Sequence, residues 1–149
     1  MSHDPWLLTP GPLTTSLTVK QAMLHDWGSR DANFLAINSR MRQRLVAMID
    51  GEGVFTCVPM QGSGTFAVEA MIGAFVPPAG RLLVLINGAY GKRIAKICEY
   101  YKRATAILEW TEDQPVDPAR VAKALSEDQG ITHVAVVHCE TTSDRKSVV

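Results

Sequence analysis

Apolar positions along this chain fall into two patterns. From Asn33 to Ile49 they recur at helical spacing, at Phe34, Ile37, Met41, Leu45, Met48 and Ile49, while Arg40, Arg42 and Arg44 lie largely off that stripe. The spacing predicts an amphipathic helix of about four turns, packed on a core. Gly51 stands where a C-terminal cap belongs. Beyond it, short apolar runs alternate with helical periods. Val54–Val58, Leu82–Ile86, Ala104–Leu108 and His133–His138 read as strands. The helical stretches between them carry Phe66, Ala67, Ala70, Met71, Ala74 and Phe75, then Ile94, Ala95, Ile97, Cys98 and Tyr101, then Val121, Ala122 and Leu125. Leu82–Ile86 is continuously apolar, as expected of a strand covered on both faces of a parallel sheet. Pro77-Pro78-Ala79-Gly80 ends one helix, and Asp117 before Pro118 starts another. Strand and helix alternating in this way predict an α/β fold with a mostly parallel sheet.

The first thirty residues differ. Leu7-Leu8-Thr9-Pro10-Gly11-Pro12 is an extended apolar segment closed by a turn, expected to lie across another element. Thr14, Thr15 and Ser16 offer caps for a short helix with Val19, Ala22 and Met23. In the polar connection Asp26–Asp31, Trp27 reads as a packing anchor, and Arg30 and Asp31 as a solvated pair.

Composition narrows the classes of function. With 149 residues, 46% hydrophobic and 20% charged, the chain is an ordinary globular sequence able to bury a real core. Fifteen basic residues balance fifteen acidic ones without a basic cluster, which speaks against nucleic acid as a partner. No apolar run approaches the ~20 residues of a membrane span and the start lacks a signal-peptide pattern, so the expected compartment is cytoplasmic. Cys57, Cys98 and Cys139 are too few and too far apart for a disulfide framework or a metal knuckle, and read as buried thiols. No metal site is expected.

The candidate chemistry lies in Gln61-Gly62-Ser63-Gly64-Thr65, a glycine-rich turn between a predicted strand and a predicted helix. Such a turn directs backbone N–H groups to one point at the positive end of a helix dipole, where a phosphate can be held, and Ser63 and Thr65 add hydroxyls. A connection whose glycines serve turn geometry alone is the other reading of the same residues. Ligands of open parallel sheets sit beyond the carboxyl ends of the strands. Three polar loops, 61–65, 87–91 and 140–143, are expected to converge there.

Gly62-x-Gly64-x-x-Ala67 formally satisfies a dinucleotide fingerprint. That motif needs a carboxylate at the end of the next strand, where this chain has Asn87 and Gly88. A mononucleotide P-loop fails for want of Gly-Lys-Ser/Thr.

Five motifs in order, Leu7-Leu8-Thr9-Pro10-Gly11-Pro12, Asp26-Trp27-Gly28-Ser29-Arg30-Asp31, Gln61-Gly62-Ser63-Gly64-Thr65, Asn87-Gly88-Ala89-Tyr90-Gly91 and His138-Cys139-Glu140-Thr141-Thr142-Ser143, resemble the 2-aminoethylphosphonate:pyruvate aminotransferases. These are class V members of the fold-type I pyridoxal-phosphate enzymes. The resemblance implies the N-terminal part of that large domain, a mostly parallel sheet with helices on both faces. It implies transfer of the amino group of 2-aminoethylphosphonate to pyruvate, giving phosphonoacetaldehyde and alanine in phosphonate degradation. It further implies pyridoxal 5'-phosphate as cofactor, small amine and 2-oxo acid substrates, and a homodimer for the full-length family. Carried over residue by residue, Ser63, Gly64 and Thr65 would hold the cofactor phosphate, Tyr90 would stack on the pyridine ring, Thr141 would lie near its exocyclic oxygen, and Gly11 would border the substrate.

The expected domain organisation is an N-terminal arm with a short helix over 1–30, a partial cofactor-binding domain over 31–143 and a deviant tail over 144–149. The family's lysine that carries the cofactor covalently, and its carboxylate for the pyridine nitrogen, have no counterpart here. Lys92, Lys96, Lys102 and Lys123 sit on helix faces suited to solvent, and Lys146 lies in the tail. No catalytic residue is therefore assigned, and a C-terminally truncated, inactive chain is expected. Two other readings remain: a non-catalytic module that binds a phosphate ligand, and another class V aminotransferase, such as the alanine:glyoxylate type.

Overall fold

The computed structural model describes residues 4–9, 11–142 and 145–146. The chain forms two compact units, Met1–Gln61 and Gly62–Val149.

The first unit contains α1 (Leu17–Ala22) and α2 (Ala32–Ala47). Ser16, among the three expected caps, accepts from the Val19 N–H at 3.4 Å. Thr14 instead closes the preceding loop, accepting from Leu7 N and donating to Pro5 O. Asp31 caps α2 through Asn33 N at 2.8 Å rather than forming a solvated pair with Arg30. Trp27 packs edge-on against His25, ring centroids 4.2 Å apart.

Four expectations for this unit are corrected. The segment around Leu7 does not lie buried, since Trp6 and Leu8 are 82% and 94% exposed. The stripe of α2 is not packed on a core: no residue of the helix is buried, because among the described residues the unit holds no sheet on which to lay that face. The left-handed residue after α2 is Asp50 (φ 50°), with Gly51 one position later donating its N–H to Val46 O. A Cβ on Gly51 would approach the Phe55 ring to 2.8 Å, so glycine is required there by packing. Finally, Val54–Val58 is not a strand. Among the described residues no strand pairs with it, and a strand without a ladder partner leaves its backbone groups unsatisfied. Arg42 serves the segment instead, donating to Cys57 O at 2.8 Å and to the Thr56 hydroxyl at 3.1 Å.

The second unit is α/β. It runs α3 (Gly64–Phe75), β1 (Arg81–Ile86), α4 (Ala89–Tyr100), β2 (Ala104–Glu109), α5 (Pro118–Glu127) and β3 (His133–Val136). The three strands form a parallel sheet in the order β2-β1-β3. The register pairs Leu82 with Thr105 on one side and with His133 on the other.

Side chains alternate across a strand, so Leu82, Val84 and Ile86 share one face of β1. There they form the core with Ile72 of α3 and Val76 just after it, Ile94 and Cys98 of α4, and Ala135 of β3. Leu83 and Leu85, on the opposite face, are buried too. Full burial of the central strand on both faces follows from its continuous apolar run, as expected. The edge strands and α5 are less covered, and the predicted inner face of α5 (Val121, Ala122, Leu125) holds no buried residue. Asp117 caps α5 through Ala119 N at 2.8 Å, with Pro118 at its first position.

The strand predicted to reach His138 ends at Val136, and a two-residue strand, β4 (Cys139–Glu140), pairs antiparallel with β5 (Arg145–Lys146). The rest of the expected tail, 144 and 147–149, lies outside the described residues, as do Pro10 and Ser143. Of the three cysteines only Cys98 is buried, Cys57 being half-buried and Cys139 exposed. No helix among the described residues is long and apolar enough to cross a membrane.

Candidate functional site

β1 lies between β2 and β3, so the chain, after pairing β2 on one side of β1, crosses to pair β3 on the other. The strand order reverses there, and the carboxyl ends of β1 and β3 are where a parallel sheet receives a ligand. Asn87 follows β1 and donates its amide to Val137 O at 3.0 Å, tying the two strand ends together.

Among the helix N-termini at this end, those of α3 and α4 differ in what fills them. Gly88, the residue before α4, has no side chain to cap the helix. The carboxylate of Glu140 serves instead: Oε2 accepts from Tyr90 N at 3.1 Å, and Oε1 accepts from Thr142 N at 3.1 Å and from the Thr142 hydroxyl at 2.6 Å. The Thr142 oxygen in turn accepts from Ala89 N at 3.2 Å. Glu140 is 1% exposed. An anion at a helix N-terminus is favourable, and here the chain's own carboxylate supplies it. A Cβ on Gly88 would lie 2.4 Å from Glu140 Cγ, so the carboxylate reaches the helix only past a glycine.

The N-terminus of α3 is built differently. Ser63 is its cap, accepting from Phe66 N at 3.3 Å, and its first turn carries no acidic residue. Gly62 precedes it with φ +145°, and a Cβ at Gly62 would collide with the Phe66 ring at 2.5 Å. Only glycine makes that turn. Around Gly64, by contrast, a Cβ would meet nothing within 4 Å. The cradle anticipated from the sequence is thus a capped helix start with open space beside Gly64 and no acidic residue in its own first turn.

Thr65 stands on the first turn of α3, and its oxygen accepts from Arg93 Nη1 at 2.8 Å. The same guanidinium lies over the Tyr90 ring, Cζ 4.9 Å from the centroid. Ser63, Gly64, Thr65 and Tyr90 are therefore brought together through Arg93. Tyr90 is 38% exposed. Thr141, half-buried, sits between Glu140 and Thr142 at the same end. Gly11 belongs to the first unit, in an exposed loop closed by a hydrogen bond from the Thr9 hydroxyl to Pro12 O.

Two contributors were missed in the sequence. Glu140 read as one polar loop residue among several; a helix start lacking its own capping side chain was the available signal. Arg93 is not singled out at all: it stands beside Lys92 and near Lys96 on the same helix, and nothing local marks it. Lys92, Lys96, Lys102 and Lys123 are all exposed, and Lys92 pairs with Glu109 at 3.1 Å.

The first unit also has an open groove of ≈ 680 Å³, lined in part by Arg42, Glu52, Phe55 and Cys57. Arg42 is already committed there to Thr56 and Cys57.

Comparison with known proteins agrees with this architecture. A 2-aminoethylphosphonate–pyruvate transaminase of Pseudomonas putida (strain F1) is 56% identical over 143 residues, which is 96% of this chain and 39% of that protein. A transaminase of the same name from Burkholderia lata is 57% identical over 141 residues, 95% of this chain and 38% of that one. The chain thus spans about two fifths of the length of these curated relatives. Among solved structures, the pyridoxamine–pyruvate aminotransferase of Mesorhizobium loti superposes with a TM-score of 0.82 at 21% identity, covering 95% of this chain and 36% of that one. The alanine–glyoxylate aminotransferase of Nostoc sp. gives 0.80 at 24% identity, covering 98% and 40%. No family model matches the chain. The fold is that of the aminotransferases, and by sequence the chain is a homologue of the 2-aminoethylphosphonate–pyruvate transaminases over 39% of their length.

Proposed function

We propose that this chain is the phosphate-cradling part of a transaminase that moves the amino group of 2-aminoethylphosphonate to pyruvate, with pyridoxal phosphate as cofactor. The observation that carries the reading is the capped, carboxylate-free N-terminus of α3, with open space at Gly64 and Thr65 held by a cation. That donor set fits a phosphate monoester: backbone N–H groups, two hydroxyls and the helix dipole all favour an anion. The competing N-terminus, that of α4, is filled by Glu140.

In this reading Ser63, Gly64 and Thr65 hold the phosphate, and Tyr90 offers a π-face that orients the ring and excludes water from one side. Thr141 lies near the ring's oxygen substituent, and Gly11 borders the substrate. Glu140 keeps the Tyr90 and Thr141 loops in register by binding both Tyr90 and Thr142. The cofactor, when bound, withdraws electrons from the carbon that loses its amino group. The phosphonate enzyme is preferred over the alanine–glyoxylate type because identity to the former is 56% and to the solved alanine–glyoxylate structure 24%. A cytoplasmic, homodimeric whole protein acting on small amines and 2-oxo acids belongs to the same reading.

The test separates binding from turnover. The purified chain is titrated with pyridoxal phosphate and with pyridoxal, and assayed for alanine formed from 2-aminoethylphosphonate and pyruvate. Binding that prefers the phosphorylated ligand and is lost in Ser63→Ala/Thr65→Val supports the cradle. Equal binding of both ligands overturns it. With Lys92, Lys96, Lys102 and Lys123 all exposed, we expect the chain by itself to form no alanine.

A further inference from the structure

We propose that Arg93 is the positioning residue of the cradle: its guanidinium edge directs the Thr65 hydroxyl at the phosphate while its face holds the Tyr90 ring. This rests on the phosphate reading above and assigns a role to a residue outside the glycine-rich motif.

The geometry is specific to one side chain. Tyr90 and Arg93 are three residues apart on α4 and therefore share a face. Arg93 Nη1 is 2.8 Å from Thr65 Oγ1, and Cζ is 4.9 Å from the Tyr90 centroid. A hydroxyl has one proton to donate and two lone pairs to accept with. With the Thr65 oxygen accepting from Arg93, its proton is left to donate elsewhere, and an anion at the N-terminus of α3 is the matching acceptor. The charged donor also polarises that O–H, strengthening it toward a phosphate oxygen.

Arginine can do both tasks at once because the guanidinium is planar, donating in its plane and stacking above it. The ammonium of lysine has three rotatable donors but no planar face, so it cannot combine an in-plane hydrogen bond with stacking on the ring. The approach of α4 that makes this possible runs through Gly91, where a Cβ would lie 2.9 Å from the Ile86 Cα. The cation thus couples two elements, α3 and α4, through Thr65 on one and Tyr90 on the other.

The experiment is a double-mutant cycle on the purified chain with pyridoxal phosphate and pyridoxal as probes, read by equilibrium dialysis and by the circular dichroism induced in the bound chromophore. Arg93→Met is expected to weaken pyridoxal phosphate binding about 10- to 100-fold, the range of one charge-assisted hydrogen bond. It should leave pyridoxal binding within about threefold and abolish the induced signal, which reports ring orientation. Arg93→Lys should restore part of the affinity and none of the induced signal. Thr65→Val removes the acceptor without touching Arg93, and the double variant should lose no more than the larger single loss. Thermal melts verify folding, and if Arg93→Met unfolds, Thr65→Val and Arg93→Lys carry the test.

Additive losses in the cycle, or an Arg93→Met variant that binds and orients the ligand as the parent does, overturn the proposal and leave the cradle reading standing. A parent chain that shows no preference for pyridoxal phosphate over pyridoxal overturns both.

Discussion

Glu140 Oε2 lies 3.1 Å from the backbone N of Tyr90, across 50 residues of sequence, and so joins β4, the short strand that follows β3, to the first turn of α4. This contact does for α4 what a capping side chain does for the other helices. It also disposes of one of two rival anion sites, leaving the N-terminus of α3 for a ligand.

Replacing Glu140 should therefore cost stability beyond an ordinary cap. Glu140→Ala strands the Tyr90 and Thr142 donors, and a loss of about 2–4 kcal/mol is expected, with about half of that for Glu140→Gln. Urea unfolding followed by far-ultraviolet circular dichroism measures both. A loss under about 0.5 kcal/mol for the alanine variant would mean that the carboxylate is dispensable.

Gly88→Ala is expected to be coupled to the same residue, because the added methyl would sit 2.4 Å from Glu140 Cγ. Alone it should cost about 1–3 kcal/mol, the range of overpacking. In a Glu140→Ala background the cost should fall below about 1 kcal/mol, since the clashing atoms are gone. Equal costs in the two backgrounds would refute the close approach.

The distribution of burial predicts where truncation matters. Ile72, 1% exposed, lies in the core, whereas Ile49, 62% exposed, belongs to the α2 stripe. Ile72→Ala should lose about 2–5 kcal/mol and Ile49→Ala no more than about 0.5 kcal/mol. Denaturant midpoints of the two variants decide this.

Thiol chemistry should rank the cysteines. Burial pushes the Cys98 thiol above its ordinary 9.0, only partly opposed by the Arg103 charge, and the thiolate is the reactive form. Cys139 is exposed. Iodoacetamide labelling with peptide mass spectrometry should modify Cys139 first, Cys57 more slowly, and Cys98 only once the chain unfolds.

An alkaline transition is expected at Tyr101. Its hydroxyl donates to Glu69 Oε1 at 3.1 Å, and this bond, with burial and the Glu69 charge, raises its pKa above 10.0. A folded pKa above the unfolded one means a contribution present in full below about pH 10 and lost as pH rises through the folded value. Tyr101→Phe should remove one step above about pH 10 from a phenolate titration at 295 nm, and should narrow the difference in stability between neutral and alkaline buffer. A titration unchanged by the substitution would place the raised group elsewhere.

Much of this protein is written locally. Ser63, Asp31 and Asp117 cap helices because an oxygen one or two bonds from Cβ reaches the N–H groups two or three residues on. Leu82–Ile86 is buried on both faces because it offers no polar side chain to solvent. The same logic misled at Val54–Val58, where composition suits a strand while pairing depends on a neighbour that local sequence does not specify. It misled again on α2, whose stripe obeys helical periodicity without a surface to bury it.

The sequence by itself determined the α/β succession of the second unit, the glycine turn before α3 and the residues Ser63, Gly64 and Thr65 that start that helix, since each depends on spacing within a few positions. The tertiary structure alone decided that β1 is central, that Glu140 occupies the N-terminus of α4, and that Arg93 joins Thr65 to Tyr90. Those relations unite residues distant in the chain, and they exist only because the parallel sheet carries its strand ends to one edge, where side chains of opposite charge or complementary polarity meet.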